Sequence, residues 1–145
     1  MTPTILFVDD DETFKALIAC ALKRSRLEAS VQYLCDGEEA ISYLSRQGPF
    51  EDEMAYPRPA LVLLDLKMPR VNGFEVLEWR SSRPELNETP FVVLSSSNLD
   101  RDQDRASELG ADGYLVKPMN LSQLIEMLEG LAKFWSDSCK AEEKA

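Results

Sequence analysis

Short unbroken apolar runs alternate along the chain with longer stretches whose apolar residues recur every three or four positions. Residues 5–8 (ILFV) read as a buried strand, and residues 12–24 carry Phe14, Leu17, Ile18, Ala21 and Leu22 at helical spacing. A weaker strand is predicted over 30–34, and Asp36-Gly37 then opens a helix with Ala40, Ile41 and Leu44 on one face. Residues 48–59 (GPFEDEMAYPRP) read as a loop whose prolines and acids exclude regular structure. Residues 60–64 (ALVLL) and 90–94 (PFVVL) show no alternation, so both faces of these strands should be covered. Asn72-Gly73 precedes a helix carrying Val76, Leu77 and Trp79. A charged helix over 100–109 stops at Gly110, and a last strand spans 113–116. Residues 121–135 form an amphipathic helix with Leu121, Leu124, Ile125, Leu128, Leu131, Ala132 and Trp135 on one side; Met127 and Phe134 fall off that stripe and read as core edge or a dimer surface, with the surface favoured.

Five strands alternating with five helices predict an α/β fold with a parallel sheet covered on both faces. Right-handed crossovers leave few topologies, and a doubly wound, flavodoxin-like sheet with strand order 2-1-3-4-5 leads them. In such sheets ligands bind beyond the carboxyl ends of the strands. The first run ends in Asp9 and Asp10, the third in Asp65, the fourth in Ser95 and the fifth in Lys117, followed by Pro118. Strands one and three are neighbours in that order, so Asp9, Asp10 and Asp65 converge.

Convergence of like charges needs an offset, because two carboxylates about 4 Å apart repel by roughly 4 kcal/mol at an effective dielectric near 20. Oxygen ligands without histidine or cysteine nearby favour Mg²⁺. With a Lys117 ammonium and a Ser95 hydroxyl beside it, the cluster suits phosphoryl transfer. Asp65, alone after the central strand, is the candidate nucleophile for an aspartyl-phosphate. Asp11 and Glu12 read as acids at the start of the first helix, where the dipole favours negative charge.

Composition narrows the partners. The 145 residues suit one domain, and a formal net charge of −10 argues against nucleic acid and anionic membranes as direct ligands. Apolar runs fall short of the roughly 18–20 residues that span a bilayer, and the N-terminus lacks the features of a signal peptide. Cys20, Cys35 and Cys139 are an odd count without metal-site spacing, which fits reduced thiols in a cytoplasm. The chain contains no histidine, so it cannot carry a phosphohistidine of its own.

LFVDD, LLDLKMPRVNG, VVLSSS and ADGYLVKP, in that order, resemble the receiver domain of two-component response regulators over about residues 4–135. The resemblance implies a receiver domain over 1–136, a flexible tail over 137–145 and no output domain. It implies phosphorylation of Asp65 by a partner histidine kinase or phosphotransfer protein, followed by autodephosphorylation, in a signalling protein rather than a metabolic enzyme. Asp10, Asp65 and the Lys67 backbone carbonyl would bind Mg²⁺, with Asp9 acting through water. Lys117 would pair with the phosphoryl group, Ser95 would swing to hydrogen-bond it, and Tyr114 would act as the coupled aromatic switch. Lys67 and Ser97 would flank the group and tune its lifetime, and the Lys117–Pro118 peptide would be cis. The long 48–59 loop, LLDLKMPR and the terminal KFW are similar to the small single-domain regulators paired with bacterial phytochromes. Output would then be a changed affinity for a downstream protein, or homodimerisation, through the fourth helix, fifth strand and fifth helix.

Two other readings remain open at this level. Asp9-x-Asp11-x-Thr13 after an apolar strand also fits a haloacid-dehalogenase-type phosphatase with Asp9 as nucleophile and Asp11 as acid/base. That reading leaves Asp65 and Asn72-Gly73 without roles. A receiver fold that binds a partner without phosphorylation is the second. Taken singly, each strand-end residue has a plain structural explanation as a cap, turn or loop residue; their joint occurrence at four strand ends does not.

Overall fold

Ten regular elements alternate along the chain in a computed structural model that describes residues 2–134. They are β1 Thr4–Val8, α1 Glu12–Arg24, β2 Ser30–Leu34, α2 Gly37–Leu44, β3 Leu61–Leu64, α3 Gly73–Arg80, β4 Phe91–Ser95, α4 Asp100–Glu108, β5 Gly113–Val116 and α5 Leu121–Gly130. All strand pairings are parallel, in the order β2-β1-β3-β4-β5. The expected α/β architecture and strand order are therefore observed.

Side chains alternate across the sheet into two cores. Leu6, Val8, Val62, Leu64, Phe91 and Val93 pack with residues of α2, α3 and α4 on one face. Ile5, Phe7, Leu61, Leu63, Val92 and Leu94 pack with residues of α1 and α5 on the other. Every residue of β1, β3 and β4 is buried, which is why these strands lack polar alternation. Edge strands β2 and β5 are only partly covered. Side chains fix the helix starts: Asp11 accepts from the Phe14 N–H, Asp36 from Glu39, Asn120 from Gln123, and Asn72 forms a reciprocal capping box with Glu75.

Several expectations need correction. Residues 48–59 are not wholly irregular: Gly48–Glu51 is a 3-10 turn with proline in its first turn, a position that needs no N–H. Phe50 and Tyr56 fasten the segment to Tyr43, with ring centroids 5.0–5.8 Å apart. A second 3-10 turn covers Pro84–Leu86. Leu17 is exposed, because α1 buries only the narrow stripe Phe14, Lys15, Ile18 and Ala21. Met127 and Phe134 are partly buried against the α1/α5 core rather than free on a surface. Regular α5 ends at Gly130, where glycine weakens the helix. Trp135, Cys139 and the predicted tail 137–145 lie outside the described residues. No helix of the described residues is long and apolar enough to cross a membrane.

Candidate functional site

Strand pairing assembles the site by extending one residue past each strand. The Asp9 N–H donates to Leu34 O (3.0 Å), the Asp65 N–H to Val8 O (3.0 Å) and the Lys117 N–H to Ser95 O (2.8 Å). Asp9, Asp65 and Ser95 are buried, Lys117 is partly buried and Asp10 is exposed. Carboxylate oxygens of Asp9, Asp10 and Asp65 all lie within 4.8 Å of one another. Lys117 Nζ is 2.8 Å from Asp9 Oδ2 and 3.3 Å from Asp65 Oδ2. The approach to Asp65 is a hydrogen bond. The shorter approach, to Asp9, is an ion pair, and Lys117 is the charge partner of the fully buried Asp9 Oδ2.

The backbone satisfies the remaining carboxylate oxygens. Asp9 Oδ1 accepts the Asp11 N–H (2.9 Å) and Asp65 Oδ1 the Leu66 N–H (2.8 Å). Burial, and then the negative charge of Asp9, push the Asp65 carboxyl up from its ordinary value of 3.8 to about 6; Lys117 and the Leu66 N–H offset only part of this. Burial by itself would push the Lys117 ammonium down, but the two carboxylates outweigh it and its pKa is raised. One ammonium thus faces three acids, and negative charge is in excess. Three carboxylates within 4.8 Å of one another, sharing one ammonium, offer the hard oxygen donors and the excess charge that fit a divalent cation.

Gly73 shapes the backbone of this site. A Cβ there would stand 2.3 Å from Asp65 O, so only glycine lets the start of α3 lie against the Asp65 peptide. The Gly73 N–H donates to Leu66 O (3.0 Å), which fixes that approach. Asn72-Gly73 was visible in the sequence, although its contact with Asp65 was not.

The hydroxyl arm runs through the β4–α4 loop. Ser95 Oγ accepts the Ser97 N–H (3.2 Å), and Ser97 Oγ donates to Asp102 of α4 (2.6 Å). The Tyr114 hydroxyl donates to Ser97 O (2.8 Å), tying β5 to the same loop. Lys67 is exposed and lines a depression with Asp10, Phe74 and Arg105, whose guanidinium lies 4.2 Å from the Phe74 ring centroid. Asp11, the acid/base of the phosphatase alternative, has its side chain engaged as the α1 cap. All described peptide bonds, Lys117–Pro118 included, are trans, in contrast to the cis form implied by the resemblance. The isomers of an X–Pro amide differ by only about 0.5–1 kcal/mol, so sequence alone does not fix the choice.

Sequence reasoning missed Phe14, whose ring centroid lies 4.6 Å from Lys117 Nζ and lines its approach. It also missed Lys15, which donates to Glu12 (3.2 Å) and Cys35 (3.2 Å) and ties α1 to the end of β2. No strand-end rule could have found either, since both sit inside a helix.

Residues 5–129 match the response regulator receiver domain family. The response regulator Rcp1 of Synechocystis sp. is 37% identical over 134 residues, covering 92% of this chain and 89% of Rcp1. A crystal structure of its Mn²⁺-bound form superposes with a TM-score of 0.78, covering 92% of this chain and 94% of that one. The phosphorylated cyanobacterial phytochrome response regulator RcpA is 36% identical, with a TM-score of 0.83 over 95% of this chain and 96% of its own. RPA3017, a response regulator in red light signaling of R. palustris, is 31% identical, with a TM-score of 0.86 over 92% of this chain and 93% of its own.

Proposed function

The chain belongs to the response regulator receiver family and is a phosphorelay signalling protein; from that premise we propose that Asp65 accepts a phosphoryl group from the phosphohistidine of a partner kinase or phosphotransfer protein. The observation that carries this reading is the buried Asp65 carboxylate held between Lys117 and two further acids. An Asp65 oxygen attacks phosphorus, the bond to the donor histidine nitrogen breaks, and the phosphoryl group passes to the carboxylate. Lys117 pairs with a phosphoryl oxygen, and the Ser95 hydroxyl turns from the Ser97 N–H to donate to another. Asp9, Asp10, Asp65 and the Lys67 carbonyl would hold Mg²⁺, which would neutralise charge on the acids and on the phosphoryl oxygens.

Loss of the Ser95–Ser97 bond would be felt by Tyr114 through Ser97 O, and by α4 through Asp102. Phosphorylation thereby biases a loop and a helix between two arrangements. The readout is a changed affinity for a downstream protein, or for a second copy of this chain, on the α4–β5–α5 side. Exposed Leu99, Val116 and Met119 support that choice of surface. Lys67 and Ser97 set the rate of autodephosphorylation. The relatives' roles in phytochrome and red-light signalling support a phytochrome-type kinase as the donor, meeting this chain in the cytoplasm.

The test is intact mass after incubation with acetyl phosphate and Mg²⁺, for wild type, Asp65→Asn and Asp9→Asn. A single adduct that needs Mg²⁺ and vanishes in Asp65→Asn is expected. An adduct that survives in Asp65→Asn but vanishes in Asp9→Asn would move the nucleophile to Asp9. No adduct, from this donor or from a phosphohistidine protein, would leave a binding module without phosphorylation.

A further inference from the structure

At the opposite edge of the sheet, the end of α2 meets the chain entering β3 and β4 around a cavity of about 200 Å³. Arg46, Arg58 and Arg83 all line it, together with Tyr43, Pro59, Leu86 and Thr89. Three guanidiniums around one small cavity stand out in a chain whose acids outnumber its lysines and arginines by 26 to 16. Arg58 pairs with exposed Glu53 at 3.3 Å, and Arg83 with exposed Glu85 at 3.9 Å. Such surface pairs are weak and readily exchanged.

Arg46 differs from both. Its Nε, Nη1 and Nη2 are all buried, and none has a hydrogen-bond partner. It stands over the Tyr43 ring, 5.5 Å from the centroid. The Tyr43 hydroxyl donates to Pro57 O at 2.6 Å and keeps a lone pair facing the guanidinium, a weak contact that engages at most one of its five N–H donors. The Arg46 backbone is held at a φ of +59, with its N–H donating to Tyr43 O at 3.1 Å, so the side chain is directed from a fixed turn. Guanidinium nitrogens shielded from water, with most of their N–H groups lacking acceptors, are unfavourable, and natural interiors supply partners. Glu85 also lines the cavity, but it pairs with Arg83.

We propose that this cavity is a binding site for a small phosphate-bearing anion, inorganic phosphate or a phosphate monoester, held chiefly by the Arg46 fork with Arg58 and Arg83 closing over it. Guanidinium forks match the paired oxygens of phosphate, and several cations in one cavity favour a dianion over a monocarboxylate. Occupation ties α2 to the segments that enter β3 and β4, at the end of the sheet remote from Asp65. The proposal stands apart from the phosphoacceptor reading, since none of its residues belongs to the acid cluster.

The test is an amide NMR titration of the full chain, free of divalent metal and at constant ionic strength. Inorganic phosphate, methyl phosphate, acetate and chloride are added in separate arms. Phosphate or methyl phosphate should give saturable shifts at residues 44–46, 58 and 83–89, with a Kd at or below about 1 mM. Whichever of the two binds more tightly identifies the source of the phosphate group. Acetate should bind about tenfold more weakly, and Arg46→Gln should weaken phosphate by about tenfold or more. Arg58 is exposed, so Arg58→Gln keeps the fold and should weaken phosphate by about threefold even if Arg46→Gln fails to fold. Asp65→Asn should titrate like wild type. Shifts that chloride reproduces, shifts that do not saturate, or an Arg58→Gln titration identical to wild type would each overturn the proposal.

Discussion

At the carboxyl edge of the sheet, Asp9, Asp10 and Asp65 face one ammonium, that of Lys117. At the amino edge, Arg46, Arg58 and Arg83 share a cavity with one lining carboxylate, that of Glu85. Each edge therefore gathers an excess of one charge, but the two are built differently. In the acid cluster Asp9 and Asp65 stand one step beyond parallel strands and Asp10 two, so the sheet's hydrogen bonds set their spacing. The arginine cluster comes from a helix end and two entering loops, and its geometry depends on Phe50, Tyr56 and Tyr43 packing together. Regular pairing places chemistry reproducibly, whereas loop packing places it case by case.

The sharpest contrast is between two arginines near the amino edge, Arg80, which is buried, and Arg46, which is partly buried. Arg80 of α3 donates to Gly110 O (2.9 Å), Thr89 O (2.8 Å) and Asp112 Oδ2 (3.0 Å), and it lies over the Phe91 ring. Arg80→Met should cost about 3–5 kcal/mol in urea unfolding, because Asp112 and the carbonyls lose their donor. Arg46→Met, measured without phosphate, should fall within about 1 kcal/mol of wild type, since only a weak contact with Tyr43 is lost. Equal losses in the two variants would dissolve the contrast.

Gly73→Ala comes next in size. Its Cβ would meet Asp65 O at 2.3 Å, so the backbone must shift, at about 1–3 kcal/mol. The same shift should slow phosphorylation from acetyl phosphate, read by intact mass against time.

A smaller effect is carried by pH. The folded protein raises the Asp65 carboxyl from 3.8 to about 6, so the fold binds that proton more tightly than the unfolded chain does. The stabilising contribution of this proton is fully present below about pH 4 and is lost as pH rises through about 6. The stability difference between wild type and Asp65→Asn should therefore move in favour of wild type as pH falls across that window. Metal-free urea unfolding of the pair at pH 7.5, 6 and 4.5 checks the sign, and a difference that does not vary with pH would remove the electrostatic account of Asp65.

The same division explains what was legible in the sequence. The strands and their terminal Asp9, Asp65, Ser95 and Lys117 followed from uninterrupted apolar runs, whose ends can be read residue by residue. Tyr43 and Arg80 were not legible as buried, because their burial comes from partners 9 to 32 positions away along the chain. Leu17 was misplaced, and Met127 and Phe134 took the core-edge reading over the favoured surface one, because periodicity gives the face of a helix but not the width of what covers it. The trans Lys117–Pro118 peptide differs from the resemblance because so small an energy separates the isomers.

Central to the site is uncompensated charge on the acid cluster, which a divalent cation would relieve. The most direct measurement is the unfolding free energy at pH 7.5 with increasing Mg²⁺, for wild type and for Asp10→Asn. Asp10 is exposed, so its substitution leaves the buried core intact. Wild type should gain stability with the logarithm of Mg²⁺, reaching about 2.7 kcal/mol at a hundred times the dissociation constant, while Asp10→Asn needs far more metal for the same gain. A wild-type stability that does not respond to Mg²⁺, or an equal response in Asp10→Asn, would contradict it.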